Sequence, residues 1–147
     1  MLAITAALLA AVLGGRETPQ DATAIAEAVE AAVGESGPVE GTTEAETVAL
    51  LLVTADEESG FRMDVVGDAG RAICAMQVWG PRERLGSVDG CVKAALAAMR
   101  EGRRLCPSEP LASYAGGCNR PAARRISAWR RARARRAVAS LAAAIIH

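Results

Sequence analysis

A chain of 147 residues with 17 basic and 17 acidic side chains has the length of one domain and a formal net charge of zero. It is long enough to bury about two-thirds of its unfolded surface, which excludes a chain without a core of its own. Half of the residues are apolar but only four are aromatic. The core must therefore be aliphatic, which favours helices over strands.

Two helices are predicted in the first third of the chain. The first fourteen residues are almost entirely apolar and end at two glycines, and they are too short to span a bilayer as written. They resemble the hydrophobic region of a signal peptide, but no basic residue precedes Arg16. We expect an N-terminal helix that packs on the domain, with a cleaved signal as the alternative. After a linker, residues 21–33 predict an amphipathic helix whose apolar side chains recur every four residues.

The central helix is the most apolar element of the sequence. Thr43 and Glu46 have capping-box spacing, which predicts that the helix begins after Thr43. Residues 48–53 leave no polar side in its middle, and a helix that is apolar all round is packed on all sides. The helix runs into three consecutive acids and is predicted to end at about Glu58, before Gly60.

The second half of the chain alternates irregular and helical segments. Residues 61–79 are predicted to be irregular, with extended pieces at 63–66 and 75–79 and a glycine-rich turn between them. The remaining predicted segments are a loop at 81–90, a helix at 91–99 that ends near Gly102, a short helix or turn at 107–114, and one long helix from Ala122.

Four cysteines, at positions 74, 91, 106 and 118, all lie in this half. Their spacings match no zinc motif, because there is no C-x-x-C pair and the only histidine is the terminal His147. Two disulfides are the simpler interpretation and imply an oxidising destination. Four buried free thiols in a cytosolic protein are the alternative.

Asp56, Glu57 and Glu58 stand together at the end of the central helix. A carboxyl group there lies at the negative end of the helix dipole and beside apolar neighbours, and both effects raise the pKa of a carboxyl group. A carboxylic acid that is still protonated near neutral pH is what a general acid requires. Periodicity does not choose among the three acids, and composition alone favours a solvated helix end.

Three short motifs follow one another along the chain. They are Glu58-Ser59-Gly60-Phe61 after the apolar helix, residues 70–77 (GRAICAMQ) and residues 111–117 (LASYAGG). They resemble, in the same order, the E-S-G-F, G-A-x-G-L-M-Q and Y-N-A-G motifs of soluble lytic transglycosylase domains, which belong to the lysozyme-like superfamily. The cysteines and the glycine-rich turn also resemble compact peptidoglycan-cleaving domains of phage and bacterial genomes.

The resemblance implies roles for five residues. Glu58 would be the acid and base that cleaves the bond between N-acetylmuramic acid and N-acetylglucosamine in peptidoglycan. Ser59, Met76 and Gln77 would line the sugar groove, and Tyr114 would contact Glu58 or the sugar. One acid suffices because the muramic acid 6-hydroxyl is the nucleophile, which gives a 1,6-anhydro product.

Two other functions stay open. A hydrolytic muramidase would need a second carboxylate several Å away, for which Asp64 and Asp68 are the nearby candidates, although Asp68 also fits a turn position. A non-catalytic lysozyme-like domain that binds glycan or has a structural role is the other alternative.

Three positions depart from the motifs of the family. Cys74 stands where glycine is usual, Ala75 stands where leucine is usual, and the asparagine expected after Tyr114 is missing. A disulfide would accommodate Cys74. The preferred pairs are Cys74–Cys91 and Cys106–Cys118, and the other two connectivities stay open.

The C-terminal region is strongly basic, with eight arginines and no acid after residue 118. It is either the solvated face of a terminal helix or a surface that docks on an anionic cell-wall polymer, on outer-membrane lipid or on nucleic acid. Docking on nucleic acid would make the chain a nucleic-acid-binding helical protein. Trp129, at helical spacing from Ile126, is expected to be a core anchor. We expect peptidoglycan as the partner, no nucleic acid, no metal or organic cofactor, and a monomer.

These observations predict one predominantly helical α+β domain of lysozyme-like fold, with a small sheet near residues 62–79. An N-terminal apolar helix and linker would occupy residues 1–20, the catalytic core residues 21–118 and the basic helix residues 119–147. The expected location is the cell envelope, reached by export or by delivery from a phage.

Overall fold

The computed structural model describes residues 2–146, and the histidine at position 147 lies outside them. Short antiparallel strands form one sheet in the order β1-β2-β3, and helices make up most of the rest. The predicted class, a predominantly helical α+β fold with a small sheet, is confirmed. The elements are α1 (Ala3–Leu13), α2 (Ala22–Ser36), α3 (Glu44–Ser59), β1 (Val66–Gly67), β2 (Ala72–Ile73), β3 (Val78–Trp79), α4 (Arg82–Leu85), α5 (Val88–Leu105) and α6 (Pro121–Ile146).

Helix α3 lies at the centre of the fold. Its capping box is formed as predicted, because Thr43 Oγ1 accepts from the Glu46 N–H at 3.2 Å and Glu46 Oε2 accepts from the Thr43 N–H at 2.8 Å. Every side chain from Thr47 to Ala55 is buried, and α1, α2 and α6 pack around the helix. Burial on all sides is what the continuous apolar run predicts.

Helix α1 packs on α3 and α6 through a buried apolar side that includes Leu8, Leu9 and Val12. Two arginines satisfy carbonyl groups at its C-terminal end: Arg16 Nη2 and Arg133 Nη2 both donate to Val12 O, at 3.2 and 2.9 Å. The expected N-terminal helix is therefore part of the core. None of the helices within residues 2–146 is long and apolar enough to cross a membrane.

Helix α5 is longer than predicted and passes through Gly102 to Leu105. Gly102 is buried against the turn at Pro110, where an added Cβ would collide with the Pro110 carbonyl oxygen. The glycine therefore permits close packing and does not end the helix. The predicted loop at 81–90 also contains a short helix, α4, because Leu85 is drawn into the core.

Two disulfides close the second half of the chain. Cys74–Cys91 joins the hairpin to α5, and Cys106–Cys118 joins the end of α5 to the segment before α6. These are the pairs preferred from the sequence. Such crosslinks persist in oxidising environments outside the cytosol.

Candidate active site

A surface groove of about 800 Å³ lies between the sheet, α5 and the start of α6. This is within the size range of small-molecule and oligosaccharide sites. Ala94 and Ala98 of α5 keep it open, because their side chains are small. Glu58, Gln77 and Tyr114, one from each of the three motifs, all line this groove.

Glu58 lies in the last turn of α3, where the left-handed Gly60 ends the helix. One carboxylate oxygen, Oε1, accepts a hydrogen bond from Arg130 Nη2 at 2.7 Å. The Arg130 side chain is only 7% exposed and that of Glu58 is 23% exposed. Within residues 2–146 no hydrogen bond reaches Glu58 Oε2. One oxygen of Glu58 is therefore held and the other is available to a ligand.

The two neighbouring acids are also bound to arginines. Glu57 accepts from Arg130 Nε, Arg133 Nη1 and Trp129 Nε1 at 3.1, 3.1 and 2.8 Å. Asp56 is bonded to Arg133 and, at 2.8 Å, to Arg16. The acids at the end of α3 are thus not a solvated helix end. They form one ion-pair network with α6, which we call the α3–α6 network (Asp56, Glu57, Glu58, Arg16, Arg130, Arg133).

The expectation of a raised pKa is wrong for Asp56. Burial of this side chain, which is 5% exposed, acts to raise its pKa. The hydrogen bonds and positive charges of Arg16 and Arg133 outweigh burial and hold the pKa of Asp56 below its usual value. Asp56 also lies outside the residues that line the groove. It is a structural ion-pair partner.

Gln77 lines the groove, but its side-chain N–H groups form hydrogen bonds within the hairpin. Its Nε2 donates to Val65 O at 3.0 Å and to Cys74 O at 2.9 Å, so both N–H bonds are used internally. The amide lies across Gly67, where an added Cβ would collide with Gln77 Oε1. Gln77 therefore fixes the hairpin, and a role as hydrogen-bond donor to sugar is not available to it in this arrangement.

Tyr114 and Met76 are joined by a hydrogen bond that the sequence did not predict. The Tyr114 hydroxyl donates to the backbone carbonyl of Met76, not to Glu58. Burial raises the pKa of Tyr114 well above its usual range, the charge of Glu58 adds to the rise and Arg130 opposes it. The Met76 side chain is fully buried. The prediction that Met76 lines the groove is therefore wrong, because its side chain packs into the core.

Ser59 and Asp64 lie outside the groove. Ser59 Oγ donates to Ala55 O at 3.1 Å and accepts from the Arg62 N–H at 3.0 Å, so it stabilises the end of α3. The Asp64 side chain is 81% exposed and pairs with Arg62. Asp68 does line the groove, and its carboxylate is bonded to Arg71 at 3.1 Å. Of the two candidates for a second carboxylate, only Asp68 lines the groove.

The backbone at Cys74 has a conformation that is unusual for a cysteine. Its φ is 65°, in the left-handed region that favours glycine. The disulfide to Cys91 ties this residue to α5 and supports the strained conformation. The hairpin that carries Gln77 is thus fixed to α5 at Cys74.

Arg130 and Trp79 are two large side chains of the groove that were not predicted from the sequence. Arg130 lies on the buried side of α6, where it and small residues recur at intervals of three and four positions. This periodicity in the sequence could have indicated that Arg130 is buried. The small residues are Ala123, Ser127, Ala134 and Ala137. Trp129, which was expected to be a core anchor, is 56% exposed, because it projects beside this buried side.

Comparison with known proteins finds no matching family model, no matching curated protein and no matching solved structure. Within residues 2–146, no group of three histidine, cysteine, aspartate or glutamate side chains could hold a metal ion.

Proposed function

We propose that this protein cleaves the glycosidic bond between N-acetylmuramic acid and N-acetylglucosamine in peptidoglycan, with Glu58 as acid and base. The supporting observation is that Glu58, Gln77 and Tyr114, which belong to three separate motifs, line a single groove. These are the motifs that resemble lytic transglycosylase domains. A groove on the surface of the domain suits a long polymer that must be cleaved internally.

The reaction needs one carboxyl group that acts twice. Protonated Glu58 would donate its proton to the glycosidic oxygen while the bond between that oxygen and the muramic acid C1 breaks. The carboxylate would then take the proton from the 6-hydroxyl of the same sugar as its oxygen bonds to C1. The products are a free 4-hydroxyl on one side and a 1,6-anhydro ring on the other. Glu58 Oε2, the oxygen not bound to Arg130, is the atom suited to both transfers.

The single-acid reaction is preferred over hydrolysis, which would use a second carboxylate to activate water or to attack C1. Asp68 is the remaining candidate, and its carboxylate is engaged by Arg71. Mass spectrometry of digested peptidoglycan separates the two reactions. We expect anhydro-muramyl ends, whereas reducing ends alone would contradict the transglycosylase reaction.

The ion pair of Glu58 favours a second candidate function. A general acid must carry a proton, whereas Glu58 is bound to Arg130 as the carboxylate partner of an ion pair. A non-catalytic domain that binds glycan in the same groove needs no such proton. Under this alternative the domain would bind peptidoglycan without cleaving it.

Glu58→Gln tests the catalytic proposal, because it removes the proton donor and keeps the shape of the side chain. We expect lysis of purified cell walls to fall by about 100-fold or more. The matched control is Asp64→Asn, which changes a nearby acid that is 81% exposed and lies outside both the groove and the α3–α6 network. Lysis by Asp64→Asn should stay close to wild type.

Two outcomes would contradict the catalytic proposal. Full lysis by Glu58→Gln would exclude Glu58 as the acid. Binding of cell walls by a wild-type protein that releases no fragments would support the non-catalytic function. Circular dichroism of each variant at the assay temperature shows whether the comparison is between folded proteins.

The basic helix adds a second proposed contact with the cell envelope. Arg130, Arg131 and Arg133 bind acids within the domain, so they are not available to a polymer. The exposed arginines of α6 are Arg124, Arg125, Arg135 and Arg136. These four would dock on an anionic envelope polymer, and this contact should weaken as salt rises.

A further inference from the structure

Trp79 is the most conspicuous side chain of the groove that the proposed reaction does not use. It ends β3, two residues after Gln77, lines the groove and is 63% exposed. A tryptophan carries a large apolar area that is unfavourable in water. An exposed aromatic ring on the wall of a concave site is typical of a ligand contact.

The ring of Trp79 is held in one orientation. The Arg71 guanidinium carbon lies 4.7 Å from the ring centroid, within cation–π range. Arg71 is fixed in turn by Asp68, whose Oδ1 accepts from Nη2 at 3.1 Å and whose carbonyl accepts from Nε at 3.3 Å. The guanidinium covers one face of the indole, so the large exposed area belongs to the other face and the ring edge.

The composition of the groove indicates the class of ligand. Its charged residues are Glu58, Asp68 and Arg130, two acids and one base, so it offers no positive field to a polyanion. Most of its other side chains are small or apolar. A pyranose ring fits this environment, because it has one face of C–H groups that packs on an aromatic ring and an edge of polar groups.

We propose that Trp79 is a stacking platform for an N-acetylhexosamine ring in the groove, and that Arg71 and Asp68 are positioning residues that hold the platform. The choice of sugar rests on the proposed function, whereas the platform rests on the geometry of Asp68, Arg71 and Trp79. Trp79 stacks on a sugar unit of the bound glycan, and Glu58 acts on the glycosidic bond.

The first test uses the hexasaccharide of N-acetylglucosamine as the probe and Trp129→Phe as the parent protein. Trp79 is then the single tryptophan, and Trp129 lies outside the groove. Titration should change the emission intensity of Trp79 and shift its maximum to shorter wavelength, because the sugar displaces water from the ring. Acrylamide quenching of Trp79 should fall in the bound state.

The second test compares affinities by calorimetry, with the Glu58→Gln change added to every protein to prevent cleavage. Trp79→Ala should weaken binding of the hexasaccharide about tenfold or more, and Trp79→Phe should recover part of the loss. Arg71→Met should raise Kd severalfold and increase acrylamide quenching of free Trp79, because the ring is no longer held. Since Arg71 and Trp79 are both exposed, these variants should keep the melting temperature of their Glu58→Gln parent.

The outcomes separate the platform from the catalytic proposal. Equal affinity of Trp79→Ala and its parent, or unchanged Trp79 emission during binding, would overturn the platform. Absence of hexasaccharide binding by the parent protein would also overturn it. Retained lysis by Glu58→Gln together with Trp79-dependent binding would contradict the catalytic role of Glu58 and support the platform.

Discussion

Arg130 binds two adjacent acids from a nearly buried position on α6. Its Nε donates to Glu57 and its Nη2 to Glu58, whereas its Nη1 and Asp56 Oδ1 have no partner among the described residues. A buried ion pair stabilises little by itself, but removal of one partner leaves the other charge buried without compensation. The position of Glu58 in the groove therefore depends on Arg130.

Arg130→Met should lower the free energy of unfolding by about 3 kcal/mol, because two partly buried carboxylates lose their partner. Urea denaturation at neutral pH measures the change. The matched control is Arg124→Met on the exposed side of α6, which should change stability by less than about 0.5 kcal/mol. Equal effects of the two substitutions would contradict the structural role of Arg130.

Asp56 should make stability depend on pH in the acidic range. Its pKa is lower in the folded protein than its usual value of 3.8, so the unfolded chain binds a proton more readily. Its contribution is fully present above pH 4 or so and is lost as the pH falls through the lower folded-state pKa. The difference in unfolding free energy between wild type and Asp56→Asn should therefore shrink between about pH 5 and pH 2.

Chemical denaturation at several pH values measures this difference. Asp64→Asn is the matched control, because the Asp64 side chain is 81% exposed. Its effect should stay below about 0.5 kcal/mol at each pH. A constant difference for Asp56→Asn across the range would show that the ion pairs with Arg16 and Arg133 do not stabilise the fold.

At the scale of elements, α3 and α6 each supply one charged residue of the site. α3 carries Glu58 to the groove on a helix that is buried on all sides, and α6 supplies Arg130. α5 supplies Ala94 and Ala98 to the groove and is anchored by its contact with the 3₁₀ turn Pro110–Ala112, which leads to Tyr114. The contact at Gly102 thus links α5 to the loop that carries Tyr114.

Gly102→Ala should destabilise the protein by about 1–3 kcal/mol, because the new Cβ collides with the Pro110 carbonyl. This is the reverse of the usual gain from replacing a helical glycine by alanine. Gly34→Ala in α2 is the matched control, since nothing lies within 4 Å of its added Cβ. It should stabilise by about 0.5–1 kcal/mol, and thermal unfolding of both variants measures the contrast. Stabilisation by both changes would contradict the close packing at Gly102.

At the scale of the whole molecule, the groove depends on two crosslinks that tie its walls to α5. Cys74–Cys91 holds the hairpin with Gln77 and Trp79, and Cys106–Cys118 closes the segment with Tyr114. The two closed loops have sequence separations of 17 and 12 residues. Each crosslink limits the freedom of the unfolded chain as well as the position of a wall.

Replacement of each disulfide by two serines should cost about 2–4 kcal/mol, which urea denaturation measures. Loss of Cys74–Cys91 should also weaken binding of the N-acetylglucosamine hexasaccharide, because Trp79 is on the released hairpin. Loss of Cys106–Cys118 releases the segment with Tyr114 but leaves the hairpin with Trp79 crosslinked, so it should weaken binding less. Equal loss of affinity in both variants would contradict the role of the Cys74–Cys91 crosslink in holding Trp79.

Local patterns were sufficient for much of the fold. The apolar run of α3, the Thr43–Glu46 capping box and the amphipathic spacing of α2 depend on neighbours within one or two turns, so they can be read from the chain. The sheet was predicted only approximately. β2 (Ala72–Ile73) lies in the predicted turn, because strands of two residues carry almost no periodicity.

The sequence by itself determined the helical class, the central apolar helix and the acidic end that holds Glu58. The tertiary structure decided which side chains of the motifs share the groove. Glu58 meets Arg130 across 72 residues of chain, and Tyr114 meets the Met76 carbonyl across 38. Contacts at such separations depend on how whole helices pack against one another. The spacing of apolar residues within one helix does not specify that packing. For the same reason only the structure showed that Met76 is buried in the core and that Trp79 is open to a ligand.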